Sequence, residues 1–251
     1  MKILQQVIDS LPGGTISEIH TGECWNAVVV ETDGAVQCGM ASTPPDTADL
    51  EGKQPAVLHE MTSALIGKPA KEVCRLAFDT ERRRASIGVA TINALLPRHP
   101  ELWVERNAED VIAERGKGKR VAMVGHFPSV PRLREMVGRL DVLELRPQPG
   151  DYPAEAAAKI IPLADVVAIT GMTLINDTLE GLLKLCRPEA YVIMLGPSVL
   201  LSPILFDYGV DLLGGSIVEK IDPVLRGVDE GIAETIFPLG VRRVIMAKPQ
   251  G

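Results

Sequence analysis

Short apolar runs that end in glycine dominate the second half of the chain. Val121-Ala122-Met123-Val124, Val166-Val167-Ala168-Ile169-Thr170 and Tyr191-Val192-Ile193-Met194-Leu195 run into Gly125, Gly171 and Gly196, and a turn rich in capping residues follows each. Continuous apolar runs of this length suit strands buried on both faces, as in a parallel sheet covered by helices. The pattern predicts strands at 120–125, 141–145, 165–170, 190–195, 210–213 and 242–247. Helices are expected between them near 130–139, 153–163, 173–186, 202–207 and 222–235. Strict alternation of this kind implies a doubly wound sheet with right-handed crossovers. Ligands of such sheets bind beyond the carboxyl ends of the strands, so the three glycine turns mark the edge to search.

The first ~105 residues carry a different pattern. An amphipathic helix over 1–10 stops at Leu11-Pro12-Gly13-Gly14, and strands at 15–23, 26–32 and 35–40 follow. Asp33-Gly34 is a two-residue hairpin signal; pairing Thr32 with Ala35 puts Cys38 opposite Val29 and Cys24 opposite Thr43. After the proline-rich loop Thr43-Pro44-Pro45-Asp46, helices are predicted near 58–66, 69–76 and 81–96. Strands followed by helices make an α+β unit. The helix at 81–96 is apolar or small nearly all round, from Ala85 to Leu96, which implies burial on most sides, between two domains. The break at Pro97-Arg98-His99-Pro100 and the cap Asn107-Ala108-Glu109-Asp110 divide the chain into an α+β domain at 1–105 and an α/β domain at 106–251.

Composition narrows the partners. A formal net charge of −7 argues against nucleic acid, which demands clustered Lys and Arg. No apolar stretch approaches the ~20 residues of a membrane span, and polar residues interrupt the first ten, so a cytoplasmic protein is expected. Cys24, Cys38, Cys74 and Cys186 form no C-x-x-C pair, and with four histidines at no ligand spacing they predict no structural zinc.

The candidate chemistry lies in the turns. Thr170, Gly171, Met172 and Thr173 can present N–H groups and hydroxyls to a ligand, with Thr173 as cap and Asn176 and Asp177 in the first helical turn; good capping alone is the structural alternative. Pro203 at a helix start leaves Gly196, Pro197 and Ser198 as loop, open to a ligand. His126 directly follows a strand end and reads as a ligand-binding or proton-transfer residue, or as a hydrogen-bonded turn residue, with Phe127 beside it to exclude water. Asn93 is an amide in an apolar helix and needs a partner, across the domain interface or on a ligand. Gly125-His126-Phe127-Pro128 lacks the second glycine of a dinucleotide fingerprint, although Glu144 lies where a ribose-binding acid would. Helix N-termini give at most ~2 kcal/mol each, against roughly 8 kcal/mol for micromolar binding, so side chains or the N-terminal domain must contribute, which favours a site in the crevice between domains.

The segments Ala85–Ala94, Val124–Pro128, Thr170–Thr178, Leu195–Ser198 and Tyr208–Ser216 resemble those of a bacterial and archaeal family labelled as a putative heavy-metal chelation domain family. The resemblance covers nearly the whole chain. It implies an enolase-N-terminal-like domain followed by a Rossmann-like domain, with a site between them. The family's serine and glycine are replaced here by Met172 and Asp177. The expected function is binding of a small anionic or metal-chelating molecule, with or without a metal ion, in the interdomain cleft. The alternative is an enzyme using a nucleotide-type cofactor, a methyltransferase or dehydrogenase. Whether a reaction occurs, which cofactor is used and whether the protein forms a homo-oligomer are left open by the sequence.

Overall fold

The first helix, α1 (Lys2–Ser10), buries Ile3, Leu4, Val7 and Ile8, whose spacing puts them on one face. It ends where Leu11, before Pro12, turns extended. In this computed structural model, residues 1–44, 60–104 and 106–249 are described.

Strands β1 (Thr15–Thr21), β2 (Trp25–Thr32) and β3 (Ala35–Ser42) form an antiparallel sheet in that order. The hairpin register is the expected one, with Thr32 opposite Ala35 and Val29 opposite Cys38. Val28 and Val30 face the main core, while Ala27, Val29, Cys38 and Met40 pack on Val224, Leu225 and Val228 from the C-terminal helix. Both faces are covered, which explains an unbroken apolar run in an antiparallel strand. The short helix α2 (Ala70–Cys74) leads to α3 (Arg82–Leu95), buried along most of its length as expected. The backbones of β3 and α3 touch at Gly39, where a Cβ would stand 2.2 Å from both Ala90 O and Ala94 N. The predicted helix at 58–66 begins outside the described residues; 60–63 are helical.

The second sheet has eight strands in the order β4-β11-β10-β9-β8-β5-β6-β7. They are β4 (Trp103–Val104), β5 (Arg120–Val124), β6 (Arg139–Glu144), β7 (Tyr152–Pro153), β8 (Val166–Thr170), β9 (Tyr191–Leu195), β10 (Leu212–Val218) and β11 (Val241–Ala247). The six strands from β7 to β10 are parallel; β11 is antiparallel to both neighbours. Counted from β5, the parallel strands run 3-2-1-4-5-6, the doubly wound order, and the order reverses between β5 and β8. Gly125, Gly171 and Gly196 thus follow the carboxyl ends of three consecutive neighbours, as the pattern predicted. The fold is α/β, a small antiparallel sheet joined to a largely parallel one, and one continuous core runs from Ile3 through α3 to Met246.

Several elements depart from the pattern. The strand expected at 210–213 runs to Val218 through Gly214 and Gly215, because a Cβ at Gly214 would lie 2.9 Å from Ala108 Cβ and one at Gly215 would lie 3.0 Å from Leu201. The helix expected at 173–186 is two short pieces, α4 (Met172–Ile175) and α5 (Leu179–Leu183), separated where Asp177 adopts a left-handed φ of 58°. The one expected at 153–163 breaks into 3-10 and α turns, the last of which, Ile161–Leu163, contains Pro162, and that at 202–207 is 3-10, Pro203–Tyr208. The last α-helix, α6 (Ile221–Asp229), stops before Gly231. Among the described residues, no helix is long and apolar enough to cross a membrane.

Candidate functional site

A cavity of about 440 Å³ opens where the strand order reverses. Its walls come from the turns after β5 (Gly125, His126, Phe127), β6 (Glu144, Leu145, Arg146, Gln148) and β8 (Thr170, Met172, Thr173, Asn176). Pro44 and Arg82 close it from the first half of the chain. Leu143, Leu145, Phe127, Met172, Ile175 and Leu182 make much of the lining apolar, and Arg82 and Arg146 are its two arginines.

Local chemistry fixes the His126 turn. Its backbone N–H donates to Glu144 Oε2 at 2.9 Å, and Leu145 N–H donates to Glu144 Oε1 at 2.6 Å. The carboxylate read as a ribose partner therefore ties two turns together. The His126 ring places Nδ1 2.7 Å from Asp151 Oδ2, a contact to a carboxylate that requires Nδ1–H as donor. The Asp151 side chain is fully buried and also meets Gln148 N–H at 3.1 Å and Arg134 Nη2 at 3.3 Å.

Of the residues the sequence pointed to, His126, Phe127, Thr170, Met172, Thr173 and Asn176 line this cavity. Thr173 is not the cap: Gly171 precedes the helix, and the buried Thr173 hydroxyl donates to Thr170 O at 2.7 Å. Gly171 does not open the backbone to a ligand. Its N–H donates to Leu195 O, and a Cβ there would stand 2.6 Å from Val199 N, so the glycine lets two turns pack. Gly196 N–H is likewise spent on Gly214 O. Ser198 is buried, and its Oγ accepts from Ser42 N–H at 2.9 Å, which joins the two sheets instead of serving a ligand. Pro197, beside it, is absent from the cavity lining. Asp177 is 76% exposed and also stands outside the lining.

Asn93 is the largest correction. Its amide donates to Met40 O at 3.0 Å, and it lines a separate cavity of about 30 Å³ with Cys38, His99 and Trp103. The helix α3 meets the large cavity at Arg82; eleven residues at 1.5 Å each carry Asn93 about 16 Å further along the axis. Asn93→Ala should therefore cost about 1 kcal/mol in urea unfolding, for one lost hydrogen bond, and leave ligand binding at the wild-type level. Ligand binding weakened tenfold in this variant would restore Asn93 to the site.

Arg82, Arg146, Gln148 and Asp151 escaped sequence reasoning. The one available signal was the run Arg82-Arg83-Arg84 at the start of a buried helix, where cations oppose the helix dipole.

Family models described as "Putative heavy-metal chelation" match residues 107–247 and, separately, residues 4–96. The chain belongs to this family. A crystal structure of a member from Desulfitobacterium hafniense, itself of unknown function, is 27% identical, covers 98% of both chains and superposes with a TM-score of 0.85. A second, from Pyrococcus horikoshii, shares the fold at 19% identity with a TM-score of 0.80, covering 98% of both chains. An uncharacterised protein of Methanocaldococcus jannaschii is 23% identical over 208 residues, 80% of this chain and 78% of its own length.

The family description invites a test of the chain's own metal donors. Among the described residues, no group of three or more His, Cys, Asp or Glu side chains is placed to hold a metal ion. Burial pushes the Cys38 and Cys74 thiols up to about 12 and that of Cys186 to about 11, so all three are protonated at neutral pH, whereas soft metals bind thiolates. The described donors do not fit a closed heavy-metal site. The same shifts predict alkaline behaviour. Above pH 9, where an unfolded thiol ionises, the native thiols keep their protons toward pH 12. The folded state then binds more protons than the unfolded one, and stability falls as pH rises. Urea unfolding between pH 9 and 11 should steepen with up to about 1.4 kcal/mol per pH unit for each such thiol. The slope should flatten in Cys38→Ala and Cys74→Ala; an unchanged slope in both would contradict this.

Proposed function

We propose that this protein binds a small anionic, metal-chelating molecule in the cleft at the carboxyl edge of the large sheet. The observation that carries the reading is the composition of the 440 Å³ cavity at the strand-order reversal, largely apolar-walled, with two arginines in its lining and residues from both halves of the chain. Its volume is that of small-molecule sites, and its position is that of ligand sites in doubly wound sheets. Guanidinium groups select carboxylate or phosphate. The described donors build no cage, so in this reading a metal is carried on the ligand's own oxygens or nitrogens. A net charge of −7 favours a small-molecule partner over nucleic acid, and free thiols suit the cytoplasm.

The nucleotide-cofactor alternative keeps one supporting observation, that Glu144 lines the cavity. Against it, both Glu144 oxygens already accept backbone N–H groups. Thermal-shift titration separates the two. Organic chelators such as hydroxy acids and catecholates, alone and with divalent metals, should raise the melting temperature. NAD, S-adenosylmethionine and ATP should not; stabilisation by these nucleotides alone would overturn the proposal. A ligand at a hundred times its Kd adds about 2.7 kcal/mol.

A further inference from the structure

We infer that His126, held by Asp151, is a general base that removes a proton from the molecule bound in the cavity. The inference rests on the cavity being a ligand site, as proposed above, and adds chemistry to it. Three features of the geometry carry it. His126 lines the cavity at the end of β5, and its side chain keeps 19% exposure. Nδ1 is committed at 2.7 Å to a carboxylate with no exposed surface, so whenever the ring is neutral its proton sits on Nδ1 and its lone pair on Nε2. Among the described residues, no hydrogen bond uses Nε2, although the other ring nitrogen and the backbone N–H are both engaged.

His20 provides the contrast. Both its ring nitrogens are taken, Nδ1 by Asp229 at 2.8 Å and Nε2 by Glu18 at 3.2 Å, as befits a purely structural tie. Around His126, a residue of the cavity wall, a carboxylate orients the ring while no hydrogen bond among the described residues claims the opposite nitrogen, which is the arrangement of an oriented base. Asp151 acts only through the ring and is a positioning residue. Other charged groups around the pair are Arg134, bonded to Asp151, Glu144, bonded to the His126 backbone, and Arg82 and Arg146 on the cavity wall.

The substrate class is a small anion carrying an ionisable hydroxyl. Its O–H bond breaks and an Nε2–H bond forms; the electron pair stays on the ligand oxygen as an oxyanion. Asp151 keeps its charge and its bond to Nδ1–H, now facing an imidazolium. An oxyanion is also the form in which a hydroxyl coordinates metal, because metal ligands bind deprotonated.

The test needs no knowledge of the ligand. 5-Nitrobenzisoxazole is a neutral aromatic probe suited to an apolar-walled cavity. A base takes its C3 proton, the C–H electrons complete a nitrile, and the ring N–O bond breaks to leave a coloured phenolate. Wild-type protein should accelerate this elimination at least tenfold over His126→Ala, with a pH profile that falls in acid as one imidazole protonates. Asp151→Asn should be slower than wild type with a displaced profile, which loss of a merely structural tie would not produce. His126→Gln and the wild-type profile carry the test if that variant does not fold. Equal rates in wild type and His126→Ala, or a flat profile, would overturn the inference. Chelator stabilisation without His126-dependent elimination would overturn proton transfer alone; elimination without chelator stabilisation would overturn the ligand class and leave the base in place.

Discussion

Replacing Gly39 by alanine should destabilise the protein by about 3 kcal/mol or more, although it adds a single methyl group. The added Cβ would stand 2.2 Å from Ala90 O and Ala94 N and 2.6 Å from Asn93 C, all backbone atoms of a buried helix. No side chain can rotate to make room, so β3 and α3 must separate and open the close-packed core between them. Gly181 is the matched control. It lies in the short helix α5 with nothing within 4 Å of its Cβ position, so alanine there should be neutral or should stabilise by about 0.5–1 kcal/mol. Urea midpoints at unchanged m report both. A Gly39→Ala protein within 1 kcal/mol of wild type would mean that the sheet does not rest on α3 as described.

The second large effect is on binding. Ala154 lines the cavity and is only half-buried, so tryptophan there can project into the space without disturbing a packed core. Ala154→Trp should abolish chelator-induced thermal stabilisation, weakening binding tenfold or more, while its urea midpoint stays near wild type. Full stabilisation in this variant would place the ligand elsewhere.

Much of the framework was legible because local rules and the tertiary structure agree. The Asp33-Gly34 turn set the register that pairs Val29 with Cys38, and three runs ending in glycine marked the carboxyl edge of neighbouring strands. What was not legible depends on partners distant in sequence. Ser198 looked like a free loop hydroxyl, but Ser42 of the other sheet claims it. Gly171 and Gly196 looked like openings for a ligand, and they are where adjacent turns close on one another. Asn93 was conspicuous as an amide in an apolar helix, yet the helix presents its other end, Arg82, to the cavity. Asp151 gave no signal at all, since only the path of the chain after β6 returns it to His126, 25 residues away.

The central claim is that ligand binds at the carboxyl edge where the strand order reverses. Hydrogen–deuterium exchange read by mass spectrometry, with and without the most stabilising chelator of the thermal-shift panel, locates it directly. Slowed exchange is predicted in the turns at 125–127, 144–148 and 170–176 and at the start of α3 around Arg82. Slowing confined to the segments around Asn93, His99 and Ser216, which line the small cavity, would contradict the account.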